Sequence, residues 1–161
     1  MKKLLWKINE LIFRIELFLG VSVMTSIVFI VFLQVFNRFI LKQPLSWSEE
    51  LARYLFIILV FIGLSVATKT RGHFGVEFLF DKLNATGQKI ARVISDLLII
   101  VFIGVIFERS FILINSAMYQ KSAAMGLTVG YIYYTIPVFA AFAIIHVVTN
   151  IVEEVTGGNK L

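Results

Sequence analysis

The chain has 161 residues, of which 59% are hydrophobic, and its mean hydropathy is +0.91. Soluble domains usually contain roughly 45 to 50% apolar residues, and a soluble fold of this size cannot hide several uncharged runs of about 20 residues. The absence of cysteine excludes disulfide bonds and thiolate metal sites. The net charge of +5 comes from basic residues beside the apolar runs, which suits phospholipid headgroups and not nucleic acid. The sequence therefore predicts an all-α integral membrane protein.

Four segments are apolar and long enough to cross a bilayer, which requires about 20 helical residues. We predict transmembrane helices at residues 17–40, 46–69, 90–113 and 130–152 of a single membrane domain. Ser46 and Glu49 have the spacing of a capping box, which predicts that the second helix begins at Ser46. Pro137 either kinks the fourth helix or marks where its regular part begins.

Two further segments have the pattern of an amphipathic helix lying on a membrane surface. Residues 1–15 carry an apolar stripe (Leu4, Ile8, Leu11, Ile15) opposite a charged one. A signal peptide is the rival interpretation, but the charged stretch is too long and no small-residue cleavage site follows it. Residues 74–84 of the middle loop also place apolar and polar side chains on opposite faces. This second helix either anchors the chain on the surface or docks onto a partner subunit.

The distribution of lysine and arginine predicts the orientation, because positively charged loops stay in the cytoplasm. Of the 15 basic residues, those in the N-terminal segment, the middle loop and the C-terminus outnumber those on the other side by two to one. We therefore expect both termini in the cytoplasm and the turn at residues 44–48 on the outer side.

No ionisable side chain is expected near the middle of a transmembrane helix. A transporter that works alone usually needs charged or polar ligands there, because charge in the membrane is tolerated only for function. The acidic residues all lie in loops or within about two turns of a predicted helix end. Asp96 is the deepest, and either pairs with Arg92 one turn earlier or forms a proton or ion site.

Enzymatic and haem functions are disfavoured by the same distribution. The two histidines are His73 in the middle loop and His146 near the end of the fourth helix, so a shared haem would require the loop to enter the bundle. The sequence shows no nucleophile with its base, no phosphate-binding glycine loop and no metal-ligand spacing. We predict no enzyme and no cofactor. A self-sufficient four-helix exporter acting as a homodimer would need an acidic residue in the first transmembrane helix, and residues 17–36 contain none.

The most distinctive segment is the turn before the second helix, where residues 43–54 read QPLSWSEELARY. We interpret Trp47 as an interfacial anchor or, alternatively, as a partner contact. Glu49 belongs to the capping box and is spaced to pair with Arg53. Glu50 lies about 100° further round the helix and is freer to contact a partner.

Other candidate contacts flank this turn. Arg38 and Lys42 are expected on the same outer side, where they are placed to pair with Glu49 or Glu50. Gly63 is expected to permit close helix packing.

Four motifs in combination resemble a known family. They are Asn37-Arg38, the PLSWSEELARY segment at residues 44–54, the FIG segment at residues 61–63, and the RGHFGVE segment at residues 71–77. Together they resemble the small membrane subunit of tripartite ATP-independent periplasmic (TRAP) transporters, the DctQ-like family. Glu77 departs from the family pattern, in which aspartate is more common at this position, but it keeps the carboxylate.

The resemblance implies a role in an assembly rather than a reaction. Family members pair with a large membrane subunit that binds sodium and substrate and moves them by an elevator-like mechanism, while a soluble periplasmic protein delivers the substrate. The chain is then expected to be a scaffold in the bacterial inner membrane, with sodium on the partner subunit only. The substrate is expected to be an organic anion such as sialic acid or a four-carbon dicarboxylate. The expected anchor or interface residues are Asn37, Arg38, Trp47, Glu49, Glu50, Arg53, Gly63, Arg71 and His73.

Overall fold

The computed structural model describes residues 2–70 and 84–155, and these ranges contain helices but no extended strand. The helices are α1 (Lys2–Phe39), α2 (Ser46–Thr70), α3 (Ala85–Ala117), α4 (Gly130–Tyr133) and α5 (Thr135–Val155). Within the described ranges, four stretches are long and apolar enough to cross a membrane: Leu5–Phe39, Ser46–Thr70, Thr86–Ala117 and Gly130–Glu154. The predicted all-α fold with four membrane-length helices is confirmed. Helices satisfy every backbone polar group internally, which a bilayer demands.

The predicted surface helix at residues 74–84 lies outside the described residues, except for its last residue. So do Arg71 and His73. Asn84 is described, and it caps α3, since its side-chain oxygen accepts a hydrogen bond of 2.8 Å from the backbone N–H of Gly87.

α1 continues without a break across the boundary that the sequence predicted between a surface segment at 1–15 and a transmembrane helix at 17–40. Its 38 residues span roughly 57 Å, well beyond the ~30 Å hydrocarbon core. Its less exposed residues recur every three or four positions, for example at Glu16, Gly20, Val23, Ile27 and Ile30, which is the spacing of a coiled-coil contact. The first turns of α1 therefore pack with the other helices, and their depth relative to the membrane surface stays a prediction.

α5 is the central helix, since it packs against α1, α2 and α3. Its small residues Ala140 and Ala143, together with Val147, are fully buried and pack with Ile103 of α3 to form the main apolar core. Small side chains allow close helix approach, which is the chief source of packing energy inside a bilayer. Pro137 lies in the first turn of α5, where its missing N–H costs no helical hydrogen bond. It thus marks the start of this helix, one of the two possibilities that the sequence left open.

Successive long helices run in opposite directions, so the helix termini and connecting segments gather at two opposite ends of the bundle. The termini end holds the start of α1, the end of α2, the start of α3 and the end of α5. The turn end holds residues 40–45 and 118–129. At the termini end, Lys69 lies 2.7 Å from Glu10, and Arg92 lies 3.8 Å from Glu154. Asp96 is buried, and its predicted pairing with Arg92 stays a prediction.

Exposed hydroxyl groups of α1 are satisfied by their own helix. Ser22, Thr25 and Ser26 donate hydrogen bonds to the carbonyl oxygens four residues earlier, at 2.8, 2.8 and 2.9 Å.

Gly63 is exposed, and a Cβ at this position would meet no described atom within 4 Å beyond its chain neighbours and the backbone of its own helix. The close packing expected of Gly63 is therefore not found within the described ranges, and a contact to a partner subunit stays a prediction.

Gly130 is a position where the fold leaves no room for a side chain. A Cβ there would lie 2.8 Å from Sδ and 2.9 Å from the backbone nitrogen of Met118. We expect Gly130→Ala to lower the free energy of unfolding by about 1 to 3 kcal/mol, measured as a lower Tm of the solubilised protein. Gly104→Ala is the control, because its added Cβ would meet no described atom within 4 Å beyond its chain neighbours and the backbone of its own helix, and alanine favours helix. An unchanged Tm for Gly130→Ala would show that residues 118–130 adjust freely.

The orientation is tested by single cysteines in this cysteine-free chain. Ser48 is fully buried and unsuitable for labelling, whereas Tyr119 at the turn end is 91% exposed and Thr86 at the termini end is also exposed. With both termini in the cytoplasm, an impermeant thiol reagent added to intact cells labels Tyr119→Cys but not Thr86→Cys. The reverse pattern would contradict the predicted orientation.

Candidate functional site: two polar clusters at opposite ends of the bundle

At the turn end, the carboxylate of Glu50 binds the loop between α3 and α4. The hydroxyl of Ser122 donates to it at 2.5 Å, and the backbone N–H groups of Ala124 and Ala123 donate at 3.0 and 3.2 Å. The hydroxyl of Tyr54, one turn along α2, donates at 3.0 Å. Hydrogen bonds to an ionised acceptor are about twice as strong as neutral ones. Glu50 thus fixes the loop onto α2.

The loop at residues 118–129 also has internal order. Lys121 and Thr128 form an isolated antiparallel bridge. Gly126 has φ of +67°, a left-handed conformation that glycine adopts without strain. The hydroxyl of Ser122 accepts a hydrogen bond of 3.0 Å from the N–H of Met125 while it donates to Glu50. Ser122 therefore connects the turn of the loop directly to the carboxylate.

The structure corrects the roles expected for Glu49 and Glu50. Glu50, expected to be free for a partner, is held within the chain by four hydrogen bonds. Glu49 is exposed, and its side chain makes no hydrogen bond to another described residue, so the capping box does not form. Ser48, in the first turn of the helix that begins at Ser46, donates its hydroxyl to the carbonyl of Leu45 at 2.7 Å.

An open pocket of about 470 Å³ lies between the end of α1 and the start of α2. Its lining includes Gln34, Arg38, Lys42 and Glu49. The ion pairs expected between the two basic residues and Glu49 or Glu50 do not occur among the described residues, and the guanidinium of Arg38 lies 5.8 Å from the ring of Phe39. The pocket therefore carries charges of both signs that are not neutralised by one another.

The remaining predicted site residues lie at the same end. Asn37 shapes the end of α1, because its side chain donates to the carbonyl of Leu33 at 2.9 Å and its own carbonyl accepts from Gln43 at 3.1 Å. Trp47 and Arg53 are exposed on α2. Their roles as anchors or partner contacts stay predictions.

The termini end contains a cluster that the sequence did not reveal as a unit. Asn9 and Glu16 of α1 and His146 of α5 are 3%, 0% and 0% exposed. Nε2 of His146 lies 2.9 Å from Oε2 of Glu16, and its Nδ1 contacts Oδ1 of Asn9. The second oxygen of Glu16 has no hydrogen-bond partner in the described part of the chain. The seven-residue spacing of Asn9 and Glu16 could have indicated part of this cluster, because it places both side chains on one helix face.

Contacts around this cluster connect three helices. Lys69 of α2 lies 2.7 Å from the carboxylate of Glu10 and donates to the carbonyl of Asn9 at 3.4 Å. The side chain of Asn150 on α5 donates to the carbonyl of Thr68 on α2 at 3.0 Å. The termini end is therefore closed by polar contacts between α1, α2 and α5.

Neither cluster has the composition of a metal centre. Across residues 2–70 and 84–155, no three His, Cys, Asp or Glu side chains are placed to hold a metal ion. Both ring nitrogens of His146 are engaged by Asn9 and Glu16, so His146 has no free nitrogen to ligate a haem iron.

Comparison with known proteins decides the family. Residues 27–157 match the family described as tripartite ATP-independent periplasmic transporters, DctQ component. The chain belongs to the DctQ family. It is 26% identical over 137 residues to the sialic acid TRAP transporter small permease protein SiaQ of Vibrio cholerae, which covers 85% of this chain and 79% of that protein.

Two other relatives are much longer proteins. The chain is 29% identical over 127 residues to the sialic acid TRAP transporter permease protein SiaT of Haemophilus influenzae, which covers 79% of this chain but 21% of that protein. It is 27% identical over 143 residues to the isethionate TRAP transporter permease protein DctMQ of Oleidesulfovibrio alaskensis, covering 84% of this chain and 22% of that protein. The chain spans about a fifth of the length of these two relatives. A DctQ-like segment thus occurs both as a small protein and within a large permease.

The family and the four membrane-length helices of the described chain define its class. The DctQ-family chain is a multi-pass protein of the bacterial inner membrane. It is a membrane component of a TRAP transporter and not an enzyme.

The role of Glu50 in ordering the loop is tested by limited proteolysis. Lys121 is the one trypsin site within residues 118–129, and it is exposed. We expect Glu50→Ala to increase the rate of cleavage after Lys121 at least severalfold, because the loop loses its anchor to α2. Glu49→Ala is the matched control and should leave the rate unchanged. Equal rates for both variants would contradict the anchoring role.

Proposed function

We propose that this DctQ-family chain is an accessory scaffold subunit of a sodium-coupled secondary transporter that imports an organic anion. The observation that carries the proposal is the placement of its described polar clusters. Glu50 and Glu16 lie at opposite ends of the bundle, and their partners come from this chain. The interior between them is formed by apolar residues such as Ile103 and Ala140. A transporter that moves a charged solute by itself needs ligands at that level.

The main partner in this proposal is a large membrane subunit that holds the sodium ions and the substrate. The SiaT and DctMQ relatives support it, because a segment like this chain makes up about a fifth of each. Exposed apolar faces support it too, since Phe18, Phe32, Leu98 and Val101 are each more than 60% exposed. Some of this exposed apolar surface contacts the stationary domain of the elevator-type subunit, and phospholipid covers the remainder. This chain itself carries no cofactor.

The second partner is a periplasmic substrate-binding protein, received at the turn end. The loop that Glu50 fixes presents Tyr119, which is 91% exposed, and Trp47 is exposed nearby on α2. A loop fixed before binding loses little conformational freedom on contact, which favours docking. The transported solute is an organic anion with a carboxylate, such as sialic acid or a four-carbon dicarboxylate. SiaQ, a relative of similar length, is named for sialic acid.

Glu50→Lys tests the importance of the turn end in the assembled transporter. Lysine cannot accept the hydrogen bonds of Ser122, Ala123 and Ala124, so the loop is displaced. We expect sodium-driven uptake by the three-component system to fall at least severalfold, while the variant still co-purifies with the large subunit. Ser22→Ala, which removes a hydroxyl bonded only to its own helix, should leave uptake unchanged. Normal uptake with Glu50→Lys would refute a docking role for the loop.

A further inference from the structure

The buried cluster of Glu16, His146 and Asn9 takes no part in the proposed transport role, yet at the termini end of a membrane bundle it holds two ionisable groups with no solvent exposure. Such groups are costly there and are retained for a reason. We propose that this cluster is a binding site for one proton, shared between Glu16 and His146, and that the proton holds α1 against α5.

The hydrogen-bond geometry accommodates one shared proton in either of two arrangements. His146 presents both ring nitrogens to oxygen atoms, Oε2 of Glu16 and Oδ1 of Asn9. A neutral imidazole has one N–H and one bare nitrogen, whereas an imidazolium donates from both. An imidazolium beside a carboxylate therefore satisfies both contacts. A neutral imidazole beside a protonated Glu16 satisfies them as well, because the carboxyl O–H then donates to Nε2. Both arrangements contain one shared proton.

Burial disfavours the cluster without this proton. Loss of the proton leaves a carboxylate of unbalanced charge in a site with no solvent exposure. An isolated buried charge is far more costly than a neutral hydrogen-bonded pair. Rotating the side-chain amide of Asn9 would present its NH2 group to the bare nitrogen of a neutral His146. The carboxylate of Glu16 would still lack a balancing positive charge. Oε1 of Glu16, which lacks a partner among the described residues, adds to that cost.

Two other carboxylates described at the termini end, Glu10 and Glu154, have basic partners. Glu10 is bound by Lys69 at 2.7 Å and by Arg14 at 3.4 Å. Across α3 and α5, Arg92 lies 3.8 Å from Glu154. The remaining titratable side chains described at this end are Lys7, Lys89, Asp96 and Glu153. Lys69 reaches the carbonyl of Asn9 at 3.4 Å, but its ammonium already faces Glu10 at 2.7 Å, so the proton is the charge that balances Glu16.

The first experiment counts the protons on the cluster. The chain has two histidines, so a His73→Gln chain labelled with 15N in histidine reports on His146 alone. In lipid at neutral pH, we expect either two ring N–H signals, or one N–H signal together with an infrared band of a protonated carboxyl group that Glu16→Gln abolishes. A neutral imidazole without that band would overturn the proposal. This measurement is independent of transport, so it stands or falls separately from the proposed function.

The second experiment tests the link between α1 and α5. We expect His146→Gln to lower the Tm because it leaves Glu16 buried without its charge partner, and we expect adding Glu16→Gln to recover part of the loss. Glu49→Gln is the control, since it removes an exposed carboxylate that makes no hydrogen bond to another described residue. A Tm for His146→Gln equal to that of the wild type would refute the link. Stabilisation by sodium that Glu16→Gln abolishes would instead make Oε1 a cation ligand and refute the proton site.

Discussion

Inside a bilayer no water is available to hydrogen-bond with polar groups, so a polar group without a partner in the protein is costly. This constraint explains the long helices, and it explains why Ser22, Thr25 and Ser26 bond to their own backbone. It also explains where charge is found. Glu50 and Glu16 each lie near one end of the bundle and are held by groups from a different helix or loop. Satisfying charge at the ends leaves an apolar interior around Ile103 and Ala140.

Most of the fold could be predicted because its signals are local. Uninterrupted apolar length identifies a transmembrane helix without knowledge of its neighbours. Ser46 and Pro137 are residue types that favour helix starts, serine through its side-chain oxygen and proline through its fixed φ, and both lie in first turns. The motifs around residues 44–54 pointed to the DctQ family, which the match over residues 27–157 confirms. The orientation depends on the membrane itself and stays a prediction.

The candidate sites were harder to predict because their contacts are distant in sequence. Ser122 lies 72 residues beyond Glu50, and His146 lies 130 residues beyond Glu16. Adjacent carboxylates such as Glu49 and Glu50 point about 100° apart, so their roles depend on which helix or loop lies beside each face. Sequence spacing favoured Glu49 for the helix start and left Glu50 for a partner. In the structure, the loop at residues 118–129 binds Glu50 within the chain instead.

The central claim is that this chain supports transport without carrying it out. Reconstitution in liposomes tests it most directly, by comparing sodium-driven uptake of a labelled organic anion with and without the large subunit and the binding protein. The account predicts no uptake by the isolated chain, and uptake only when the large subunit is present. Sodium-driven uptake by this chain alone would contradict it.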